Sequence, residues 1–140
     1  MRIVSTSRDV VADAFRAWSN GTGYVSSIFA DEMTWEIVGH SVASRKYANT
    51  VEFVAEVLQP FGARFTTEHP FRPVTIRQII AEDNRVVVLW DGEGETVAHG
   101  TYRNTYAWFM TLNEDGKVID GTAFYDSISF NELWAAVVPS

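Results

Sequence analysis

The sequence predicts an α+β fold, in which helices from the first half of the chain pack against a curved antiparallel sheet. Apolar residues recur at helical spacing near the start, whereas the second half holds four consecutive segments with the two-residue alternation of strands. Short turns rather than helices separate these segments, an order typical of α+β domains. A chain of 140 residues can bury a hydrophobic core, so we predict one domain over residues 1–140.

The first predicted elements are two helices and a strand. Thr6 and Asp9 have the spacing of a capping box, and Asn20 followed by Gly21 provides a stop signal for the first helix. Residues 24–30 are predicted to form a second, shorter helix. Residues 31–39 alternate in the manner of a strand.

The remaining elements are a third helix, four strands and a terminal helix. Asn49 is the predicted N-cap of the third helix, with Glu52 three residues further on. Its predicted apolar stripe consists of Val51, Val54, Leu58 and Phe61. The predicted strands cover residues 74–81, 85–96, 100–112 and 117–126. Ser129 and Glu132 have the spacing of a capping box for a last helix over 130–137.

Charge and composition exclude several classes of function. The net charge is −7 at pH 7, which argues against a nucleic-acid partner and against an anionic membrane surface. Without cysteine, the chain has no disulfide, zinc–thiolate site or thiol nucleophile. The start of the sequence does not resemble a signal peptide, and no apolar run is long enough to span a membrane. We therefore expect a soluble, cytoplasmic protein.

The predicted strand over 100–112 places Tyr102, Asn104, Tyr106 and Trp108 on one face. In one interpretation these residues line a cavity, where hydroxyls and an amide orient an oxygen atom of a ligand or hold a water. A tyrosine could also donate to a developing oxyanion. In the other interpretation Asn104 bonds the backbone of a bent strand and the tyrosines anchor the helices. The high aromatic content of 14%, with five tryptophans, suits a core and a cavity wall alike.

Two segments, FADEMTWEIVGHS (29–41) and GTYRNTYAWFMTLNEDGKVIDGTAFYDS (100–127), resemble the nuclear transport factor two-like superfamily. Within it, the SnoaL-like, ketosteroid-isomerase-like proteins are most similar in the order and spacing of these elements. The resemblance implies a cone-shaped, cystatin-like roll, in which a bent antiparallel sheet wraps the N-terminal helices around an internal pocket. It also implies that two copies pair through the outer face of the sheet. Because such folds host many reactions, the resemblance alone does not give the chemistry.

The catalytic residues of known relatives are missing at the matching positions. The ketosteroid isomerase base aligns with Ile37, its oxyanion-hole tyrosine with Ala14 or Phe15, and its second acid with Trp108. The acid of limonene epoxide hydrolase aligns with Ala123. Proton abstraction by the ketosteroid isomerase mechanism is therefore not expected.

Ten residues are expected to line the pocket, some from the alignment and others from their aromatic character. They are Trp18, Tyr24, Trp35, Ile37, Tyr102, Asn104, Tyr106, Trp108, Ala123 and Tyr125. The candidate catalytic residues are His40, as a base near the cavity mouth, Tyr106, as a donor, and Asp91, as an acid without an accompanying arginine. The alternative for His40 is a surface position at a strand end, and Asp126 is expected to cap the last helix. We predict no metal and no cofactor, since no histidine pair has ligand spacing.

These observations lead to one hypothesis and two alternatives. The protein is expected to hold a small, mostly apolar organic molecule, and to be an isomerase, cyclase or hydrolase if an unusual acid/base set exists. One alternative is a non-catalytic binding or carrier protein with the same pocket. The other is an interaction module that uses the outer sheet face, where Arg103, Thr105, Phe109 and Thr111 suit a homodimer interface.

Overall fold

A computed structural model describes residues 6–139 and confirms the predicted α+β class. Its first helices precede the four longest consecutive strand segments, β3 to β6, and a last helix follows them. The elements are α1 (Ser7–Ser19), a 3-10 turn (Val25–Ile28), β1 (Phe29–Ile37), β2 (Lys46–Tyr47), α2 (Thr50–Phe53), a π-helical turn (Val54–Leu58), α3 (Gln59–Gly62), β3 (Arg72–Glu82), β4 (Arg85–Glu95), β5 (Thr101–Leu112), β6 (Val118–Tyr125) and α4 (Ser127–Ala136).

The six strands form one bent, unclosed sheet in the order β2-β1-β6-β5-β4-β3. The pairs from β3 to β6 are antiparallel, as predicted, whereas β1 runs parallel to β6. The two-residue strand β2, which the sequence did not reveal, pairs with β1. Register shifts interrupt the ladders of β1, β3 and β5, and such bulges increase local twist. The sheet therefore curves around the helices.

Helix α1 begins and ends where the sequence indicates. The Thr6 side chain accepts from the Asp9 backbone N–H, and the Asp9 carboxylate accepts from the Thr6 backbone N–H, which completes the capping box. Asn20 caps the other end, and Gly21 follows with a φ of +75°. The buried face of α1 consists of Val11, Ala14 and Phe15.

Two expectations for the helices that follow are wrong. The segment predicted as a helix over 24–30 forms only the 3-10 turn, because Phe29 pairs with Val118 and so begins β1. Asn49 caps α2 as predicted, but Val51 of the predicted stripe is 74% exposed, and Phe53 is buried instead. The buried face continues into the π-helical turn at Val57, four residues after Phe53.

Helix α4 has a different N-cap from the predicted one. The Asp126 carboxylate accepts from the Ile128 backbone N–H at 3.0 Å and from the Ser129 hydroxyl at 2.8 Å. The helix therefore begins at Ser127, which confirms the capping role of Asp126 and excludes the predicted box of Ser129 with Glu132. Hydrogen bonds from the helix start, with Ser129 first, hold the pKa of Asp126 below its usual value.

The sheet has two faces with different neighbours. We call the face that packs on the helices the concave face; in β5 it carries Tyr102, Asn104, Tyr106 and Trp108, all buried. The opposite, convex face carries the alternate residues. On the concave face Trp35 lies directly over Gly121, where any Cβ would overlap the indole ring. This glycine therefore admits the largest side chain of β1 into the core.

Candidate functional site

A cavity of about 350 Å³ lies between the concave face and the helices. This volume is within the range of about 300–1,000 Å³ typical of small-molecule sites. The wall on the sheet side comes from four strands. It consists of Trp35 and Ile37 (β1), Trp90 (β4), Tyr106 and Trp108 (β5), and Ala123 and Tyr125 (β6).

The helices and one loop supply the rest of the wall. These residues are Trp18, Tyr24, Val25, Ser26, Phe53, Val57, Leu58, Phe61, Gly62, Pro70, Phe71 and Phe130. Phe71 reaches the cavity because Gly92 lacks a side chain, and a Cβ there would overlap the Phe71 ring. Three of the lining residues are also exposed to solvent, namely Tyr24, Gly62 and Pro70. The cavity therefore opens to solvent beside them.

The cavity wall is aromatic and uncharged. Eleven of its nineteen residues are aromatic, and within residues 6–139 no Asp, Glu, Lys, Arg or His lines it. Four of the five tryptophans contribute, and they pack on one another: the centroids of Trp35 and Trp108 are 4.9 Å apart at 81°, and those of Trp90 and Trp108 are 5.2 Å apart at 89°. Such edge-to-face packing holds the rings in defined orientations.

The polar atoms of the wall are hydroxyl and indole groups. The Tyr106 hydroxyl is 2.8 Å from that of Tyr102, and the Tyr125 hydroxyl is 2.8 Å from the Ser41 hydroxyl. Burial raises the pKa of Tyr106 and of Tyr125 well above the ordinary value, so both remain protonated near neutral pH. The Trp90 indole N–H is buried and has no hydrogen-bond partner among residues 6–139. Within the described residues, the cavity wall therefore offers hydrogen-bond donors but carries no Asp, Glu, Lys, Arg or His side chain.

Eight of the ten residues predicted for the pocket lie on this wall, and Tyr102 and Asn104 do not. Both are buried on the concave face, but their polar groups bond to each other and to the backbone. Asn104 joins β5 to the start of α4 through the backbone N–H and C=O of Asp126. The second interpretation of the sequence, in which Asn104 bonds backbone, is therefore the one that the structure supports at this position.

Asp91 is not a cavity acid. It lies on the convex face, 3% exposed, where Arg77 Nε donates to Oδ2 at 2.9 Å and the Thr105 hydroxyl donates to Oδ1 at 2.6 Å. The hydrogen bonds from Arg77 and then Thr105 lower the pKa of this carboxyl. The expectation that no arginine accompanies Asp91 is also wrong, because Arg77 comes from the neighbouring strand β3.

His40 is exposed and does not line the cavity, so its candidate role as a base there is not supported. Its backbone C=O accepts from Asn131 at 3.3 Å, beyond the end of β1. No group of three or more His, Asp and Glu side chains is placed to hold a metal ion in the described range, 6–139. No helix within that range is long and apolar enough to cross a membrane.

The sequence interpretation missed part of the helical wall and one hydroxyl. Phe53, Phe61, Phe71 and Phe130 were not assigned to the pocket, although all four line the cavity. The glycines at alternate positions of β4 were the available signal for Phe71, since they leave room over the concave face. Ser41, the partner of the Tyr125 hydroxyl, carried no signal in the sequence.

Comparisons with known proteins agree on the fold. A protein of the nuclear transport factor two-like class from Burkholderia thailandensis E264 is 15% identical and matches with a TM-score of 0.69 over 93% of this chain and 98% of its own. TerC, co-crystallised with polyporic acid, is 17% identical, with a TM-score of 0.68 over 94% and 99% of the two chains. A candidate SnoaL-like polyketide cyclase from Jannaschia sp. CCS1 is 14% identical, with a TM-score of 0.68 over 97% of both chains.

At these identities the similarity shows the fold alone. No curated protein matches the chain at a significant level. The profile of the SnoaL-like domain, however, matches residues 11–121, which contain strands β1 to β5, the start of β6 and most of the cavity wall. The chain therefore belongs to the SnoaL-like domain family.

Proposed function

We propose that this protein binds a neutral, largely apolar organic molecule in the cavity under the concave face. The observation that carries the proposal is the wall itself, which is aromatic and has no charged side chain within the described residues. Aromatic rings contribute large apolar contact areas and stack on flat ligands. A charged ligand would lose its hydration without gaining a partner, which is costly in an apolar site.

A binding or carrier role is better supported than isomerase, cyclase or hydrolase chemistry. General acid–base catalysis needs a group whose pKa lies near the working pH. Tyr106 and Tyr125 have raised pKa values and act as donors rather than bases, while Asp91 lies on the other side of the sheet. The co-crystal of the fold neighbour TerC with polyporic acid supports an organic ligand for this fold.

A thermal-shift panel of matched ligands tests this proposal. Each neutral aromatic compound is paired with its carboxylate, for example 2-methylnaphthalene with 2-naphthoate. Neutral ligand at about a hundred times its Kd adds about 2.7 kcal/mol and raises Tm by several degrees, while the carboxylate leaves Tm unchanged. Equal or greater stabilisation by the carboxylates would overturn the proposal.

Two tryptophan substitutions locate the binding. Ala123→Trp fills the cavity and is expected to abolish the Tm shift, because Ala123 lies on the wall. Ala135→Trp is the matched control, since Ala135 is exposed on α4 and lies neither on the cavity wall nor on the convex face. A Tm shift that survives Ala123→Trp would place the ligand elsewhere.

Turnover separates a carrier from an enzyme. A ligand found by the panel is incubated with the protein for many hours and recovered by extraction. The carrier role predicts intact ligand at every time point. Product that forms with the wild type but not with Ala123→Trp would instead establish an enzyme that works without a charged base in the cavity.

We also propose that two copies pair through the convex face. Phe109 and Phe124 lie there about half exposed, with ring centroids 5.7 Å apart at 69°. Exposed aromatic side chains of this kind are enriched at interfaces between proteins. Light scattering is expected to give the mass of a dimer for the wild type and of a monomer for Phe109→Glu with Phe124→Glu. A wild type that is monomeric at high concentration would contradict this pairing.

A further inference from the structure

We infer that Tyr106 is a directed hydrogen-bond donor in the cavity and that the ligand carries an acceptor oxygen, such as a ketone, facing it. The inference deepens the proposed function and rests on it. The basis is a hydrogen-bonded chain of three buried side chains on the concave face of β5. Asn104 Nδ2 lies 2.8 Å from Tyr102 Oη, and Tyr102 Oη lies 2.8 Å from Tyr106 Oη.

The orientation of the Asn104 amide follows from its backbone partners. Its Oδ1 accepts from the backbone N–H of Thr105 at 2.8 Å and of Asp126 at 3.3 Å. Its Nδ2 donates to the Asp126 C=O at 3.0 Å. A flipped amide would set like groups against each other at all three contacts. The second hydrogen on Nδ2 therefore goes to Tyr102 Oη.

The proton of Tyr102 then has one acceptor available. Tyr102 is 5% exposed, and the groups bonded to its hydroxyl are the Asn104 amide, which donates, and Tyr106 Oη. If Tyr106 donated to Tyr102, the Tyr102 proton would be buried without a partner, at a cost of about 1–3 kcal/mol. Both the Asn104 amide and the Tyr102 hydroxyl are therefore satisfied when Asn104 donates to Tyr102 and Tyr102 donates to Tyr106.

This direction leaves the Tyr106 proton for the cavity. Tyr106 is the member of the chain that lines the cavity, and its ring stacks on Trp90 with centroids 4.4 Å apart at 14°. Stacking on a fully buried indole restricts the ring, so the hydroxyl is held in place before a ligand enters. Because each hydrogen bond polarises the next, accepting from Tyr102 makes the Tyr106 hydroxyl a stronger donor.

Paired binding of 9-fluorenone and fluorene tests the inference. The two molecules share a planar shape and differ in one carbonyl, and quenching of tryptophan fluorescence gives the Kd of each. The wild type is expected to bind fluorenone about three- to tenfold more tightly, as one net hydrogen bond provides. The infrared C=O stretch of bound fluorenone is expected at lower frequency than in an apolar solvent.

Three tyrosine-to-phenylalanine variants show which hydroxyl is responsible for the preference for fluorenone. Tyr106→Phe is expected to bring the ratio of the two Kd values to about one and to remove the infrared shift. Tyr102→Phe keeps the Tyr106 donor but removes the hydrogen bond that Tyr106 accepts from Tyr102. The infrared shift is therefore expected to be smaller, and the ratio of the two Kd values to lie between those of the wild type and Tyr106→Phe. Tyr47→Phe is the control: it also deletes a buried hydroxyl, but that hydroxyl donates to the Ala43 C=O, away from the cavity wall. Its ratio and infrared shift match the wild type.

The outcomes separate this inference from the proposed function. Equal Kd values for both compounds in the wild type would contradict the donor role of Tyr106, while the proposal of an apolar binding site would still hold. If the infrared shift is unchanged in Tyr102→Phe, then hydrogen bonding from Asn104 through Tyr102 does not strengthen the Tyr106 donor, and that part of the inference is wrong. If neither compound binds, the proposed function fails, and the inference fails with it.

Discussion

Strands β4 and β5 carry opposite chemistry on their two faces. On the concave face, Trp90 pairs with Tyr106, and both line an uncharged cavity. On the convex face, the adjacent residues Asp91 and Thr105 pair, and the buried Asp91 carboxylate accepts hydrogen bonds from Thr105 and from the half-exposed Arg77 side chain. One position along each strand thus separates the wall of an uncharged cavity from an ion pair whose carboxylate is buried.

The difference shows why a cavity acid could not be assigned from sequence proximity. Asp91 follows a cavity tryptophan directly, yet the two-residue period of a strand places its carboxylate on the opposite side. The charge is stable there because one cation and one hydroxyl satisfy it. The concave face instead uses neutral donors, which need no counter-ion.

The largest expected effect is on the packing of the concave face. Trp35→Ala removes a side chain that is 1% exposed and stacks on Phe53 at 5.1 Å, so we expect a loss of about 3–5 kcal/mol in the free energy of unfolding. The matched change on the convex face, Phe124→Ala, is expected to cost about 1 kcal/mol or less, because Phe124 is half exposed. Urea unfolding measures both, at protein concentrations low enough for light scattering to give the mass of the monomer. Equal losses would contradict the assignment of the two faces.

A smaller effect is expected from the convex ion pair. Asp91→Asn weakens the bonds to Arg77 and Thr105 and is expected to cost about 1–3 kcal/mol at pH 7. The pKa of Asp91 is lowered by folding, so its contribution is complete above the unfolded pKa and is lost as pH falls through the folded one.

The free energies of unfolding of the wild type and of Asp91→Asn, measured from pH 7 down to pH 2, should therefore differ by a constant amount above about pH 4 and converge below it. Asp31→Asn, at an exposed position, is the control and should run parallel to the wild type. A difference between wild type and Asp91→Asn that does not change with pH would show that the carboxylate is not held by its partners.

The smallest expected effect is that of pH on ligand binding. Within the described residues no Asp, Glu, Lys, Arg or His lines the cavity, and burial raises the pKa of Tyr106 and of Tyr125. The Kd of a neutral ligand is therefore expected to stay constant from pH 5 to pH 9, measured by fluorescence titration. A tenfold change with a midpoint near pH 6.5 would reveal a histidine in the site and contradict the composition of the wall.

The sequence predicts the parts of this site that follow local rules. Alternation along β5 and β6 grouped Tyr106 with Trp108 and Ala123 with Tyr125, and the family resemblance indicated that both groups face the cavity. Alternation could not show where the cavity ends along β5. Asn104 shares the face of Tyr106 but meets the start of α4, and that contact depends on tertiary packing.

The helical side was harder to predict for a related reason. The expected stripe began at Val51, whereas the buried face carries Phe53 and Val57, four residues apart, while Val51 is exposed. Which face of this helix packs on the sheet depends on tertiary contacts. The cap of α4 was ambiguous because Asp126 and Ser129 are both good N-cap residues. Asp126 takes the position because β6 ends immediately before it.

The central claim is that the cavity under the concave face is the ligand site, and a crystal structure of the protein soaked with 9-fluorenone tests it most directly. The account predicts ligand density between Trp18, Trp35 and Trp108, with the ketone oxygen within about 3 Å of Tyr106 Oη. Fluorenone bound on the convex face, with the cavity closed by its own side chains, would contradict it.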